Sequence, residues 1–109
     1  MMGPTQKLNL KLLQVQIHQN AKDKGFWRDI GYEELMAAVK LSLIASEVFE
    51  AMEFLRRGEG DPKLIDSELA DIVIRTLDFA EGYGIDLGEA IEKKMAVNKD
   101  RPYKHGKRF

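Results

Sequence analysis

Four carboxylates stand among aliphatic residues at a spacing that suits metal chemistry. Glu47 and Glu50 are three residues apart, and Glu68 and Asp71 repeat the arrangement. In a helix this spacing sets two side chains about 60° apart around the axis and about 4.5 Å apart along it. The neighbours are Leu43, Ile44, Ala51 and Phe54 for the first pair, and Leu64, Ile65, Ile72 and Ile74 for the second. Two antiparallel helices joined by a short loop would bring the pairs face to face. Four carboxylates gathered there repel strongly unless something cationic sits between them. Oxygen-only ligands suit a hard divalent ion, Mg²⁺ first and Mn²⁺ second. Zinc and di-iron fit poorly, since a di-iron site wants histidine three residues after a ligand glutamate and Glu50 and Asp71 hold those places. The competing reading is a solvated helix face. Asp78/Glu81, Asp86/Glu89 and Glu89/Glu92 share the spacing, but they lie beside polar or glycine residues.

The elements that must position these acids are helical. Proline occurs only at 4, 62 and 102, leaving long stretches free to be helical. A first helix is expected from about Thr5 to Ala21, with Leu8, Leu12, Val15 and His18 on one stripe. Lys22 to Asp29 breaks the pattern and reads as a loop carrying an aromatic pair, Phe26 and Trp27. A second helix is expected from Tyr32 to Arg57, apolar on most of its circumference and therefore buried on several sides. In so short a chain, that predicts a partner subunit. Gly58 and Pro62 end it. A third helix is expected from Lys63 to Tyr83. Asp86, with Glu89 three residues on, forms a capping-box variant that starts a fourth, ending near Asn98. The tail from Lys99 to Phe109 is basic and reads as irregular. The expected architecture is an all-α bundle of about four helices, one domain over residues 1–109, completed by oligomerisation.

Bulk properties narrow the classes. With 109 residues and a formal charge of -1, the chain has the length of one domain and lacks the basic excess of a general nucleic-acid coat. At 44% hydrophobic and 32% charged, it can bury a core. The absence of cysteine excludes disulfides, thiolate zinc sites and cysteine nucleophiles. Neither a signal peptide nor a membrane span is expected, and the plainest reading is a cytoplasmic protein.

Glu47-x-x-Glu50, seventeen intervening residues and Glu68-x-x-Asp71 resemble the acidic motifs of the MazG-type nucleotide pyrophosphohydrolases, within the all-α NTP pyrophosphatase superfamily. Lys24-Gly25-Phe26-Trp27 is similar to the aromatic loop before the long helix in that family. Glu68-Leu69-Ala70-Asp71-Ile72-Val73-Ile74-Arg75 is similar to its second acidic motif. Lys94-x-x-x-Asn98-x-x-Arg101-Pro102-Tyr103 resembles its C-terminal phosphate-contacting segment. The likeness extends from His18 to Gly106. One departure stands out: the family's first motif usually begins with two adjacent acids, and Ser46 occupies the first place here. That puts in doubt any role assigned to that first acid.

The resemblance implies Mg²⁺-dependent hydrolysis of a nucleoside triphosphate, NTP or dNTP, to the monophosphate and pyrophosphate. Glu47, Glu50, Glu68 and Asp71 would hold the metal, and Glu47 or Glu50 would take a proton from the attacking water. Lys94, Asn98 and Arg101, at i, i+4 and i+7, would meet the nucleotide if the last helix reaches that far, although cations also suit a helix C-terminus. Trp27, with Phe26, is a candidate for stacking on the base or for plugging the end of the bundle. His18 either touches the ligand or is a satisfied core-edge histidine. Arg75 orients Asp71 or satisfies a surface charge, and His105 helps close the site or belongs to a mobile tail. No P-loop is present. The partners implied are the nucleotide and further copies of the chain, as a dimer or a dimer of dimers, with no nucleic acid. Two alternatives remain: a dUTP- or dCTP-selective pyrophosphatase of the same fold, and a non-catalytic helical nucleotide-binding or regulatory module.

Overall fold

The computed structural model describes residues 8–28, 33–58 and 60–109. Within them every regular element is helical: α1 (Leu10–Asp23), α2 (Glu33–Arg56), α3 (Asp66–Gly82) and α4 (Leu87–Lys99), with single 3₁₀ turns at Pro62–Ile65 and Tyr103–Gly106. The expected four-helix, all-α architecture is what the chain adopts. No helix among the described residues is long and apolar enough to cross a membrane.

Local chemistry explains the helix boundaries. The expected start of α1 at Thr5 lies outside the described residues. The helix begins at Leu10, where the Asn9 side chain accepts the Leu12 amide at 3.0 Å. The expected start of α2 at Tyr32 also lies outside the described residues. Lys63 does not open α3, because Pro62 and the Asp61 carboxylate, which accepts the Lys63 amide at 2.9 Å, first build a 3₁₀ turn. Asp86 caps α4 by accepting the Glu89 amide at 3.1 Å, as its spacing predicts. At the end of α1, the amides of Gly25 and Phe26 bond back to the carbonyls of Lys22 and Ala21 at 3.0 and 3.1 Å. This is a Schellman closure, and Gly25 at φ +88° supplies the left-handed residue it needs. The turn folds the aromatic pair back over the bundle. The last helix stops at Lys99, so Arg101 lies beyond it and not on its face with Lys94 and Asn98.

The central helix is α3, packed against both α1 and α2, while α4 rests more lightly on α1. Leu77, Ala80 and Ala51 form the buried apolar centre. Gln14, also buried, ties α1 to the end of α3 by donating to the Glu81 carboxylate at 2.9 Å and the Ile85 carbonyl at 2.7 Å. Glu81 is thus drawn inward, against the solvated-face reading of its spacing. In the single chain much of α2 stays open to solvent, including Leu35, Leu41, Phe49, Met52 and Leu55.

Candidate functional site

Lys40, Leu43 and Glu47 fall at i, i+3 and i+7 on α2; Asp71, Ile74, Arg75 and Asp78 fall at i, i+3, i+4 and i+7 on α3. Each set therefore occupies one helix face. Because the helices run antiparallel, Glu47 meets the Asp71–Arg75 turn and Lys40 meets Asp78. Ile17 and Asn20 of α1 and Phe26 of the following loop complete a cavity of about 530 Å³ lined by all of these residues.

At one end, the buried Glu47 carboxylate accepts a hydrogen bond from Arg75 Nε at 2.9 Å. Glu50 lies one turn further along α2. A hydrogen bond with Glu47, the charge of Glu47 and that of Asp71 raise the Glu50 carboxyl above the usual glutamate pKa, against the opposing pull of Arg75. Three carboxylates therefore feel one another here. Glu68, half-buried in the first turn of α3, does not line the cavity. Among the described residues, no three acidic or histidine side chains are closed tightly enough to hold a metal ion as they stand. The donor chemistry nonetheless fits a hard cation: the ligands on offer are carboxylate oxygens, and their mutual repulsion is the strain that a divalent ion relieves.

At the other end, Asp78 Oδ1 accepts from Trp27 Nε1 at 2.9 Å and lies 2.8 Å from His18 Nδ1. Trp27 Nε1 also reaches Asp78 Oδ2 at 3.1 Å. The His18 ring stands edge-on to Trp27 with centroids 4.8 Å apart, and Tyr83 packs at 5.7 Å. Lys40 Nζ sits 3.8 Å from the centre of the Trp27 ring and donates to the Phe26 carbonyl at 3.1 Å. Partial burial lowers the Lys40 pKa below its ordinary value, with Arg75 adding to the effect and Asp78 opposing it. Trp27 is thus enclosed at the end of the bundle, and Phe26, 60% exposed, carries the open aromatic face beside the cavity.

Glu47 and Asp71 face the cavity, with Glu50 beside them. His18 and Trp27 meet at its far end through Asp78. Lys94, Asn98 and Arg101 do not line it; the Asn98 side-chain oxygen is buried without a hydrogen-bond partner among the described residues. Arg75 bonds Glu47, not Asp71. His105 is exposed, in a turn where Lys104 and His105 both take left-handed backbone angles. Three cavity residues went unassigned from sequence as ligand contacts: Lys40, Asp78 and Arg75. The available signal was the seven-residue interval from Lys40 to Glu47 and from Asp71 to Asp78, which places each pair on one helix face.

No protein-family model, curated protein or solved structure matches this chain.

Proposed function

We propose that the chain is a Mg²⁺-dependent nucleoside triphosphate pyrophosphohydrolase of MazG type. It would cleave NTP or dNTP between the α- and β-phosphates, acting in the cytoplasm on the nucleotide pool. The observation that carries this reading is the gathering of Glu47, Glu50 and Asp71 at one end of a nucleotide-sized cavity whose other end is aromatic. The resemblance of the acidic motifs supports it.

A bound Mg²⁺, or Mn²⁺ in its place, supplies charge neutralisation for phosphate oxygens and acidifies water. Glu47 and Asp71 would hold it, with Glu50 and Glu68 flanking them. Arg75, donating to Glu47 at 2.9 Å, holds that carboxylate in place. Glu50, one turn along α2 from Glu47, would take the proton as water adds to the α-phosphorus. The α–β bridging P–O bond breaks, and pyrophosphate leaves. Lys94, Asn98 and Arg101, outside the cavity of their own chain, would meet phosphate from a neighbouring copy in a dimer or dimer of dimers.

Chromatography of the products formed from NTPs in Mg²⁺ tests the reaction. The expected outcome is monophosphate and pyrophosphate; diphosphate and orthophosphate would reject it. The Ser46 hydroxyl donates to the Leu43 carbonyl of its own helix at 2.7 Å, so it does not replace the missing first acid. That favours, as a second reading, a module that binds nucleotide without turnover.

A further inference from the structure

We propose that Lys40 and Asp78 read the edge of the base, selecting nucleobases with a keto oxygen beside a ring N–H over those with an exocyclic amino group, with Lys40 as the discriminating residue. The inference rests on the reading of the cavity as a nucleotide site.

Geometry comes first. Lys40 lies seven residues before Glu47 on α2, and Asp78 seven after Asp71 on α3, a displacement of about 10.5 Å along each helix. With phosphates at the acidic end, the sugar spans that interval and the base arrives between Lys40, Asp78 and the exposed ring of Phe26. Stacking on Phe26 fixes the plane of the base without choosing among bases. Choice falls to the polar pair.

The pair has a definite polarity. Lysine carries three donors and no acceptor. Lys40 gives one N–H to the Phe26 carbonyl at 3.1 Å and rests on the Trp27 ring at 3.8 Å, so the ammonium is held in place with donor capacity left for a ligand. An ionised carboxylate only accepts. Trp27 and His18 fix Asp78 chiefly through Oδ1, and Oδ2, with one longer contact at 3.1 Å, keeps lone-pair capacity. A donor therefore stands beside an acceptor. Uracil, thymine, guanine and hypoxanthine present a carbonyl next to a ring N–H and match both. Cytosine and adenine, in the same orientation, turn an amino group toward the ammonium and a ring-nitrogen lone pair toward the carboxylate.

The test uses nucleoside monophosphates, which the proposed reaction does not consume, in pairs that differ at this edge: UMP against CMP, and IMP against AMP. Trp27 is the only tryptophan and touches both reading residues, so its emission reports binding. The wild-type chain should bind UMP and IMP roughly tenfold or more tighter than their amino partners, the worth of a charge-assisted hydrogen bond. Lys40→Met should cut that ratio to the share Asp78 supplies while CMP and AMP affinities hold, and Lys40→Arg should keep more of it. Equal wild-type affinities within each pair would overturn the proposal. So would a Lys40→Met variant that weakens all four ligands alike, since Lys40 would then only anchor the Phe26 loop. Binding with keto preference but no cleavage of UTP or ITP upholds the reading pair and rejects the hydrolase. Cleavage without preference in binding does the reverse.

Discussion

Glu50 is a carboxyl whose proton affinity is raised by its neighbours. Glu47 and Asp71 raise its affinity for a proton above the ordinary glutamate range. A raised pKa in the folded chain means that the associated stability is complete below the unfolded pKa and is lost as pH rises through the folded value. Glu50→Gln removes that loss. In a chelating buffer at neutral pH, the variant should therefore melt at a higher temperature than the wild type, and the gain should vanish near about pH 4; thermal unfolding at the two pH values checks it. A lower melting temperature at neutral pH would mean that the carboxylates do not repel. The acids of this site were legible in sequence because aliphatic neighbours set them apart. Asp78 and Glu81 were not. Their three-residue spacing reads as a solvated face, and the groups that draw them inward, His18, Trp27 and Gln14, lie 51 to 67 positions away in the chain. No local pattern carries that information.

At the scale of elements, the far end of the cavity depends on the close approach of α3 to the aromatic loop. A β-carbon on Gly82 would stand 2.1 Å from Trp27 Cη2, so the indole fits only because that position is bare. Gly82→Ala should push Trp27 off Asp78, cost about 1–3 kcal/mol in stability and shift the tryptophan emission maximum. Unchanged emission would place the indole elsewhere. Helix ends written in capping residues were readable: Asp86 starts α4 where its spacing says, and the stop after α2 follows from Gly58 and Pro62. Starts that depend on competition between a cap and a periodic pattern were not. Leu8 belongs to the apolar stripe, yet the Asn9 cap begins α1 after it. The partnering of Arg75 with Glu47 was equally hidden, because it depends on how α2 and α3 register against each other.

The whole molecule exposes more surface than a self-sufficient domain. Its accessible area is 8921 Å², against roughly 6100 Å² for a folded monomer of this mass. Its radius of gyration is 16.6 Å, where a compact chain of this length has about 13 Å. The excess is of the size buried in obligate interfaces, and α2 contributes an open apolar face to it through Leu35, Leu41, Phe49, Met52 and Leu55. A homodimer or dimer of dimers built on that face is the expected solution state. Phe49→Glu, on an open position of α2, should shift the chain toward monomer in sedimentation at micromolar concentration; a wild-type monomer would contradict the assembly. The all-round apolarity of α2 is what predicts oligomerisation from sequence; a role for Lys94, Asn98 and Arg101 across copies has no counterpart in any local pattern, since it depends on quaternary geometry.

On the proposed function, carboxylates from α2 and α3 would share one divalent cation. Titration of the chain with Mn²⁺, followed by the loss of free-ion electron paramagnetic resonance signal, measures this without substrate. Saturable binding is predicted, weakened by about tenfold or more in Glu47→Gln and in Asp71→Asn. Binding that is absent, or indifferent to both substitutions, would contradict it.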